Sequence, residues 1–172
     1  MVDVPPHLTA QPSQPSQPSA ELDTIDRTLL GALQDDGRLS NKELSALVNL
    51  APSSCLARVR RLRSLNVLLG CHAEVAPDAF GIRLQALIAV RLTQHSRAQV
   101  DSFVAHADSL PEVMGWFHVT GAHDFLVHVV VRDSHHLRDL ALDGFTSRPE
   151  VDHLETSIVF ERGARHRLPD LG

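Results

Sequence analysis

Apolar and polar positions recur with two different periods along the chain. Between residues 24 and 65, apolar side chains return every three or four positions, which is typical of amphipathic helices. From residue 84 onward they alternate with polar ones in several short runs, which is typical of strands with one buried face. Residues 1–20 show neither period and contain a Gln-Pro-Ser repeat, which predicts a disordered tail.

The helical part predicts three helices in close succession. The first covers about residues 24–35, and the second opens at Ser40, where Glu43 completes a capping box. The second helix is expected to end near Asn49, a residue that tolerates the left-handed backbone of a tight turn. A third helix is predicted over residues 52–65, because proline fits the first helical position.

The third helix has two chemically different arcs. At about 100° per residue, the apolar arc contains Cys55, Leu56, Val59 and Leu62. The opposite arc carries two hydroxyl groups, three arginines and one alanine, namely Ser53, Ser54, Ala57, Arg58, Arg60 and Arg61. This helix has arginines and no acid in a chain of net charge −5, which indicates a polyanionic partner. A solvated surface helix is the alternative interpretation.

Three helices in this order, with a short turn before the basic one, predict a helix-turn-helix whose third helix reads DNA. On this interpretation Ser53 and Ser54 reach base edges or phosphates. Arg58, Arg60 and Arg61 reach guanines or phosphate oxygens.

The second half of the chain predicts a strand, a hinge and then a ferredoxin-like domain. Branched residues favour a strand over 67–75, and Pro77 and Gly81 mark a hinge. The order that follows is strand, helix, strand, strand, helix, strand, with the two middle strands joined through Gly121-Ala122-His123. The fold class is therefore α+β: a helix-turn-helix domain, then a βαββαβ antiparallel sheet with both helices on one face.

The predicted boundaries divide the chain into five parts. These are a tail at 1–20, a DNA-binding domain at 21–66, a strand and hinge at 67–83, a ferredoxin-like domain at 84–160, and a C-terminal tail at 161–172. The sheet face without helices keeps apolar residues such as Leu87, Trp116 or Phe117, and Val130, so we expect sheet-to-sheet dimerisation.

Composition narrows the function classes. With 172 residues and 43% hydrophobic content, the chain can bury a core. Two cysteines, Cys55 and Cys71, are too few for a disulfide framework and fit a reducing cytoplasm. No apolar run approaches the roughly 20 residues of a membrane span. The expected location is therefore the cytoplasm, in association with the nucleoid, and no membrane contact, metal or cofactor is predicted.

Several motifs in order resemble one family, the leucine-responsive and asparagine-dependent (Lrp/AsnC, or feast/famine) regulators. They are Leu22-Asp23 with Asp26, Asp36–Ser40, Glu43–Ser45, Arg58–Leu62, Asn66–Gly70, Pro111–Val113 and Val119–Leu126. The resemblance extends over nearly all of residues 21–159. It implies that the helix-turn-helix domain is winged or near-winged. It also implies a dimer that binds an imperfect palindrome of double-stranded DNA and often assembles into an octamer or similar ring.

The resemblance also implies that an amino acid or related metabolite binds around the turn between the middle strands. The implied effector residues are Thr120, Gly121, Ala122, His123 and Asp124, with Thr156 and Ser157 from the last strand. Backbone amides at a glycine turn can hold a carboxylate, and an acid can hold an α-ammonium group. We therefore assign Gly121 to the carboxylate and Asp124 to the ammonium; the alternative for Asp124 is a capping role in its own hairpin.

Two positions depart from the family pattern. His123 stands where relatives often have an aromatic residue, which leaves the ligand open and adds pH sensitivity. Ala51 stands where a serine commonly caps the reader helix.

A ligand-independent protein that wraps DNA is one alternative. A tetrapyrrole decarboxylase of similar fold is the other, but no enzyme is predicted because the histidines lack a defensible metal spacing and the reader helix is intact.

Overall fold

The computed structural model describes residues 21–165 and 167–169. The predicted tail at 1–20 lies outside the described residues. The described chain forms two compact units, one made of the residues up to Ala73 and those from Ala164 onward, and the other of Glu74–Gly163. Among these residues, no helix has the length and apolar content needed to cross a membrane.

Three helices form the first unit, as the helical periodicity predicts. They are α1 (Thr24–Asp35), α2 (Asn41–Leu47) and α3 (Pro52–Ser64). The Ser40 hydroxyl accepts the Glu43 amide hydrogen bond at 3.3 Å and the Glu43 carboxylate accepts from the Ser40 amide at 2.7 Å, so the capping box is confirmed. Asn49 has a φ of 52°, which confirms the left-handed turn before Pro52.

The predicted strand over residues 67–75 is wrong. The amides of Val67 and Leu68 both donate to the Leu62 carbonyl, at 3.0 and 3.1 Å, and Leu68 packs against the helical core. The chain therefore first folds back on the end of α3. No segment of the described chain hydrogen-bonds to residues 69–76 as a strand, and branched side chains alone do not make a strand without a partner.

The second unit has the predicted order of elements. A short 3-10 helix at Pro77–Phe80 precedes β1 (Leu84–Leu92), α4 (Arg97–Ser109), β2 (Val113–His118), β3 (Phe125–Val131), α5 (Ser134–Asp139) with a π-helical continuation Leu140–Thr146, and β4 (Val151–Val159). The sheet order is β2-β3-β1-β4, and every neighbouring pair is antiparallel. This is the ferredoxin-like arrangement that the sequence predicts.

The alternation along β1 and β3 separates the two faces of the sheet. Ile88 and Val127 face each other in register on the buried face, where they pack with Phe103 of α4 and Phe145 after α5. On this face the ring centroids of Phe103 and Phe125 lie 4.6 Å apart. The helices therefore cover one face of the sheet.

The other face of the sheet is open in the single chain. It carries Leu87 and Val130, both half-buried, and Phe117, whose exposed fraction is 64%. Trp116 points to the helix-covered face instead and donates from its indole nitrogen to Asp108 at 2.8 Å. Phe117, not Trp116, is thus the aromatic residue of the open face.

Candidate DNA-binding surface and effector site

The basic helix α3 is seated on α1 and α2 by its apolar side chains. Cys55, Val59 and Leu62 are buried, and Cys55 and Val59 pack in a core with Leu29 of α1 and Leu44 of α2. Burial raises the pKa of the Cys55 thiol, in keeping with a small core residue. Leu56, which the helical wheel placed on the buried arc, is 37% exposed, because it lies at the edge of that arc.

A buried carboxylate on α1 fixes two of the four arginines of α3. The side chain of Asp26 is only 2% exposed, and its two oxygens accept from Arg58 at 2.9 Å and from Arg61 at 3.0 Å. Arg58 also contacts Asp23 at 2.6 Å. A buried carboxylate is costly without charged partners, so α1 and α3 can pack in this way only while Arg58 and Arg61 pair with Asp26.

The cap of α1 belongs to the same network. The Asp23 carboxylate accepts the Asp26 amide at 2.8 Å, and this bond, with Arg58 beside it, lowers the pKa of Asp23. The two acids in turn raise the pKa of Arg58. The expectation that Arg58 and Arg61 both face outward therefore needs correction: their guanidinium groups turn toward α1.

The outward face of α3 has a different composition. Ser53, Ser54, Arg60 and Arg63 are all exposed. Within the described chain, neither Arg60 nor Arg63 has an ion-pair or hydrogen-bond partner. Sequence reasoning left out Arg63, because the helical wheel places it only about 40° from Val59, at the edge of the apolar arc; the structure shows that it is exposed. The exposed cations and hydroxyls can contact phosphates or base edges without breaking an existing contact.

The proposed effector turn lies between β2 and β3. Thr120, Gly121 and Ala122 are exposed, and Gly121 has a φ of 126°, which favours glycine. The Val119 amide closes the turn by donating to the Asp124 carbonyl at 2.9 Å. The turn thus presents an accessible backbone segment.

Asp124 is held by contacts of its own. It is 8% exposed; one carboxylate oxygen accepts the Leu92 amide at 2.8 Å, and the other lies 2.7 Å from His95 Nε2. The Asp124 amide donates to the Val90 carbonyl at 2.8 Å. The Asp124 side chain therefore holds the β2–β3 turn against the end of β1 through one oxygen. Its second oxygen contacts only the exposed His95, a contact that another cationic group could take over.

His123 and β4 meet at the same turn. His123 Nε2 lies 3.6 Å from the Glu155 carboxylate, and its buried Nδ1 has no hydrogen-bond partner among the described residues. Thr156 and Ser157 both lie on β4, but in register with Ile88 and Leu87, so they point to opposite sides of the sheet. The structure brings Glu155 to the turn, and no motif in the sequence identified it.

The open sheet face contains one titratable group near its middle. His128 lies between Gly115 of β2 and Leu87 of β1, and its Nε2 is 2.9 Å from the Gln85 side-chain oxygen. Burial, together with the charge of Arg162, lowers the pKa of His128. No group of three or more histidine, cysteine or acidic side chains suited to a metal occurs in the described part of the chain.

Comparison with known proteins assigns both units. The AsnC-type helix-turn-helix domain matches residues 22–63, and the Lrp/AsnC ligand binding domain matches residues 85–169. Over 146 residues the chain is 40% identical to the HTH-type transcriptional regulator AldR of Mycolicibacterium smegmatis, which covers 84% of this chain and 85% of that protein. The chain belongs to the Lrp/AsnC family.

Other members extend the comparison. The leucine-responsive regulatory protein of Rhizobium meliloti is 34% identical over 142 residues, or 83% of this chain and 91% of that protein. A transcriptional regulator from Neisseria meningitidis, solved as a complex with L-methionine, superposes with a TM-score of 0.80 at 32% identity and covers 86% of this chain and 96% of that one. This Lrp/AsnC chain is therefore a DNA-binding transcriptional regulator with a small-molecule binding domain, and not an enzyme.

The Asp26 network yields a stability prediction. Replacing Asp26 with alanine should lower the free energy of unfolding of the helical unit by about 1.5–3 kcal/mol, because hydrogen bonds to charged groups are lost. Hydrogen exchange at the α1 and α3 amides of the full chain would measure this. Asp101→Ala, which removes a mostly exposed i,i+4 pair with Arg97 in α4, is the control and should leave these amides unchanged. Wild-type exchange in Asp26→Ala would contradict the role assigned to the buried carboxylate.

Proposed function

We propose that the chain regulates transcription by binding an imperfect palindrome as a dimer or a ring of dimers, with an amino acid or related metabolite changing its assembly or DNA affinity. The exposed cationic face of α3, held on a helix-turn-helix frame, is the observation that carries this proposal. The DNA-binding domain is assigned to 21–66, the hinge to 67–83 and the effector domain to 84–160. The protein would act in the cytoplasm, on the nucleoid.

The proposed DNA contacts divide the residues of α3 by task. Ser53 and Ser54, near the helix N-terminus, and Arg60, on the exposed pole, contact bases or phosphates. Arg58 and Arg61 hold α3 in its orientation through Asp26, and their partly exposed guanidinium groups face phosphates at the margin of the surface. Direct base reading is therefore assigned to Arg60 rather than to Arg58.

The proposed effector is an amino acid. The L-methionine bound by the Neisseria regulator supports this ligand class, and so does the turn itself. Exposed backbone at Gly121 can take a carboxylate, and the Asp124 oxygen now near His95 can take an ammonium group without disturbing the bond to Leu92. Thr120, Ala122 and His123 complete the turn side of the proposed site. Thr156 and Ser157 point to opposite sides of the sheet, so only one of them can line the site within a single chain.

The open sheet face is proposed as the dimer interface. Phe117, Leu87 and Val130 form an apolar surface that a second copy would cover. A symmetric dimer places two reader helices on one DNA molecule, as a palindromic operator requires. Assembly beyond the dimer is proposed for the same domain.

Arg60 provides the direct test of DNA reading. Arg60→Ala should weaken binding to an operator fragment recovered by genome-wide pull-down by about 1–3 kcal/mol, as expected for an arginine that reads a base. Fluorescence anisotropy with that fragment and with a scrambled one would measure the specificity ratio. Arg97→Ala, an exposed arginine of α4, should change neither affinity. Unchanged operator binding by Arg60→Ala would reject the assignment of this face.

Asp124 provides a test of the effector site that separates binding from structure. Asp124→Asn keeps an oxygen for the Leu92 amide but loses the charge that would hold an ammonium group, so it should bind DNA normally and lose its effector response. Asp124→Ala loses both and should also loosen β1. Calorimetry against the twenty amino acids, followed by DNA binding with any that bind, would measure this. A normal response in Asp124→Asn would reject the ammonium assignment.

His128 makes the proposed dimer sensitive to pH. Burial already lowers the pKa of His128 in the single chain, and a second copy on the open face would desolvate the ring further, so the dimer favours the neutral ring. The stabilisation of the dimer is complete above the usual value of about 6.5 and is lost as pH falls below it. The dimer dissociation constant should therefore rise on acidification, by up to about tenfold per pH unit for each proton taken up. Sedimentation between about pH 7.5 and pH 5.5 would measure it.

The matched variants identify the histidine responsible. His128→Gln should remove the pH dependence, whereas His135→Gln, an exposed residue of α5, should retain it. A pH dependence that survives His128→Gln would place the titrating group elsewhere.

A further inference from the structure

Arg167 and Leu168, near the C-terminus, lie against one face of α1. Residues Gly31, Gln34 and Asp35 share that face, since they are three and four positions apart. Arg167 reaches Asp35 at 3.0 Å, and the Leu168 amide donates to the Gln34 side-chain oxygen at 2.7 Å. All of these residues belong to the helical unit, to which the chain returns after Gly163.

Gly31 leaves room for the arginine. A Cβ at this position would lie 2.9 Å from the Arg167 Nη2 and 3.3 Å from its Cζ. Glycine inside a helix is disfavoured relative to alanine by roughly fivefold per residue, so its place in the middle of α1 calls for a packing reason. Gly31 is buried, and the arginine provides that reason.

The end of α1 lacks a cation of its own. The helix finishes with Asp35 and the C-cap Asp36, and its last turn contains no basic residue. Arg38, just beyond the helix, pairs with Asp36 at 3.4 Å, which leaves Asp35 without a cation from this part of the chain. Acidic side chains at a helix C-terminus are unfavourable, because the carbonyl groups there already form the negative end of the helix dipole. Arg167 brings a positive charge to this end from far along the chain.

Gln34 is oriented to receive the segment. Its side-chain nitrogen donates to the Leu30 carbonyl at 3.3 Å, which leaves its oxygen facing the Leu168 amide. The space above Gly31, the Asp35 carboxylate and the oriented amide of Gln34 lie on the same face of the same helix.

We propose that the described residues 164, 165 and 167–169 belong to a strap of the DNA-binding unit, docked through Arg167 and Leu168 on the Gly31-Gln34-Asp35 face of α1 within the same chain. The strap steadies the helix that carries Asp26, and through Asp26 it steadies the reader helix. Its ion pair is mostly open to solvent, with the side chains of Arg167 and Asp35 64% and 58% exposed, so each contact is weak and the docking is reversible.

A double-mutant cycle in the full chain tests the strap without DNA or effector. Gly31→Ala, Arg167→Ala and the double variant would be compared by hydrogen exchange at the α1 amides. The guanidinium lies at the end of a flexible side chain, so a methyl group at Gly31 displaces it without breaking the helix. Arg167→Ala should speed exchange about two- to fivefold.

Gly31→Ala is expected to have different effects on exchange in the Arg167→Ala chain and in the wild-type chain. In Arg167→Ala, Gly31→Ala should slow exchange by up to about fivefold, since only helix propensity changes. In the wild-type chain that gain is offset by loss of the strap. Equal slowing in both backgrounds, with no effect of Arg167→Ala, would overturn the proposal.

Two further comparisons complete the test. A chain ending at Gly163 should speed exchange at least as much as Arg167→Ala does, because it also loses the Leu168 bond to Gln34. Arg165→Ala, which changes an exposed arginine of the same segment, should behave as wild type. The effect should not vary with protein concentration. A dependence on concentration would overturn docking within one chain, because the segment would then come from a second copy. None of these measurements requires DNA binding, so a negative result would reject the strap without bearing on the proposed function.

Discussion

The buried carboxylate of Asp26 sets the constraint on which the DNA-binding unit depends. A charge that is 2% exposed requires cationic partners, and α3 supplies two of them one helical turn apart. Together with the apolar packing of Cys55 and Val59, this requirement fixes the rotation of α3 about its own axis. The residues that then face outward are determined by an interaction on the inner side of the helix.

The second unit contains a comparable arrangement at Asp124. This acid follows a turn and precedes a buried strand, and it is almost fully buried between the Leu92 amide and His95. Both acids therefore secure an element that carries proposed contact residues, α3 in one unit and the β2–β3 turn in the other. They differ in what remains free: both oxygens of Asp26 are held by arginines, whereas one oxygen of Asp124 has only an exposed histidine as its partner.

Local patterns were sufficient for most of the fold and for only part of the candidate sites. Helical spacing, the Ser40 capping box and the alternation of β1 each depend on neighbouring residues, and the structure confirms them. The orientation of Arg58 could not be read locally, because its partner Asp26 lies 32 positions away. The strand expected at 67–75 failed for the opposite reason: its composition favours a strand, but a strand also needs a neighbour to hydrogen-bond with.

The distribution of charge explains why assembly is expected to control DNA binding. Asp23 and Asp26 neutralise Arg58 and Arg61 from behind, which leaves Arg60 and Arg63 as the arginines of α3 without partners in the described chain. Each neutralised phosphate contributes to affinity through counterion release, so we expect a single α3 helix with few free cations, on a chain of net charge −5, to bind DNA weakly. Two readers on one operator add their contacts. Any ligand that changes the pairing of chains therefore changes DNA occupancy without having to reach α3.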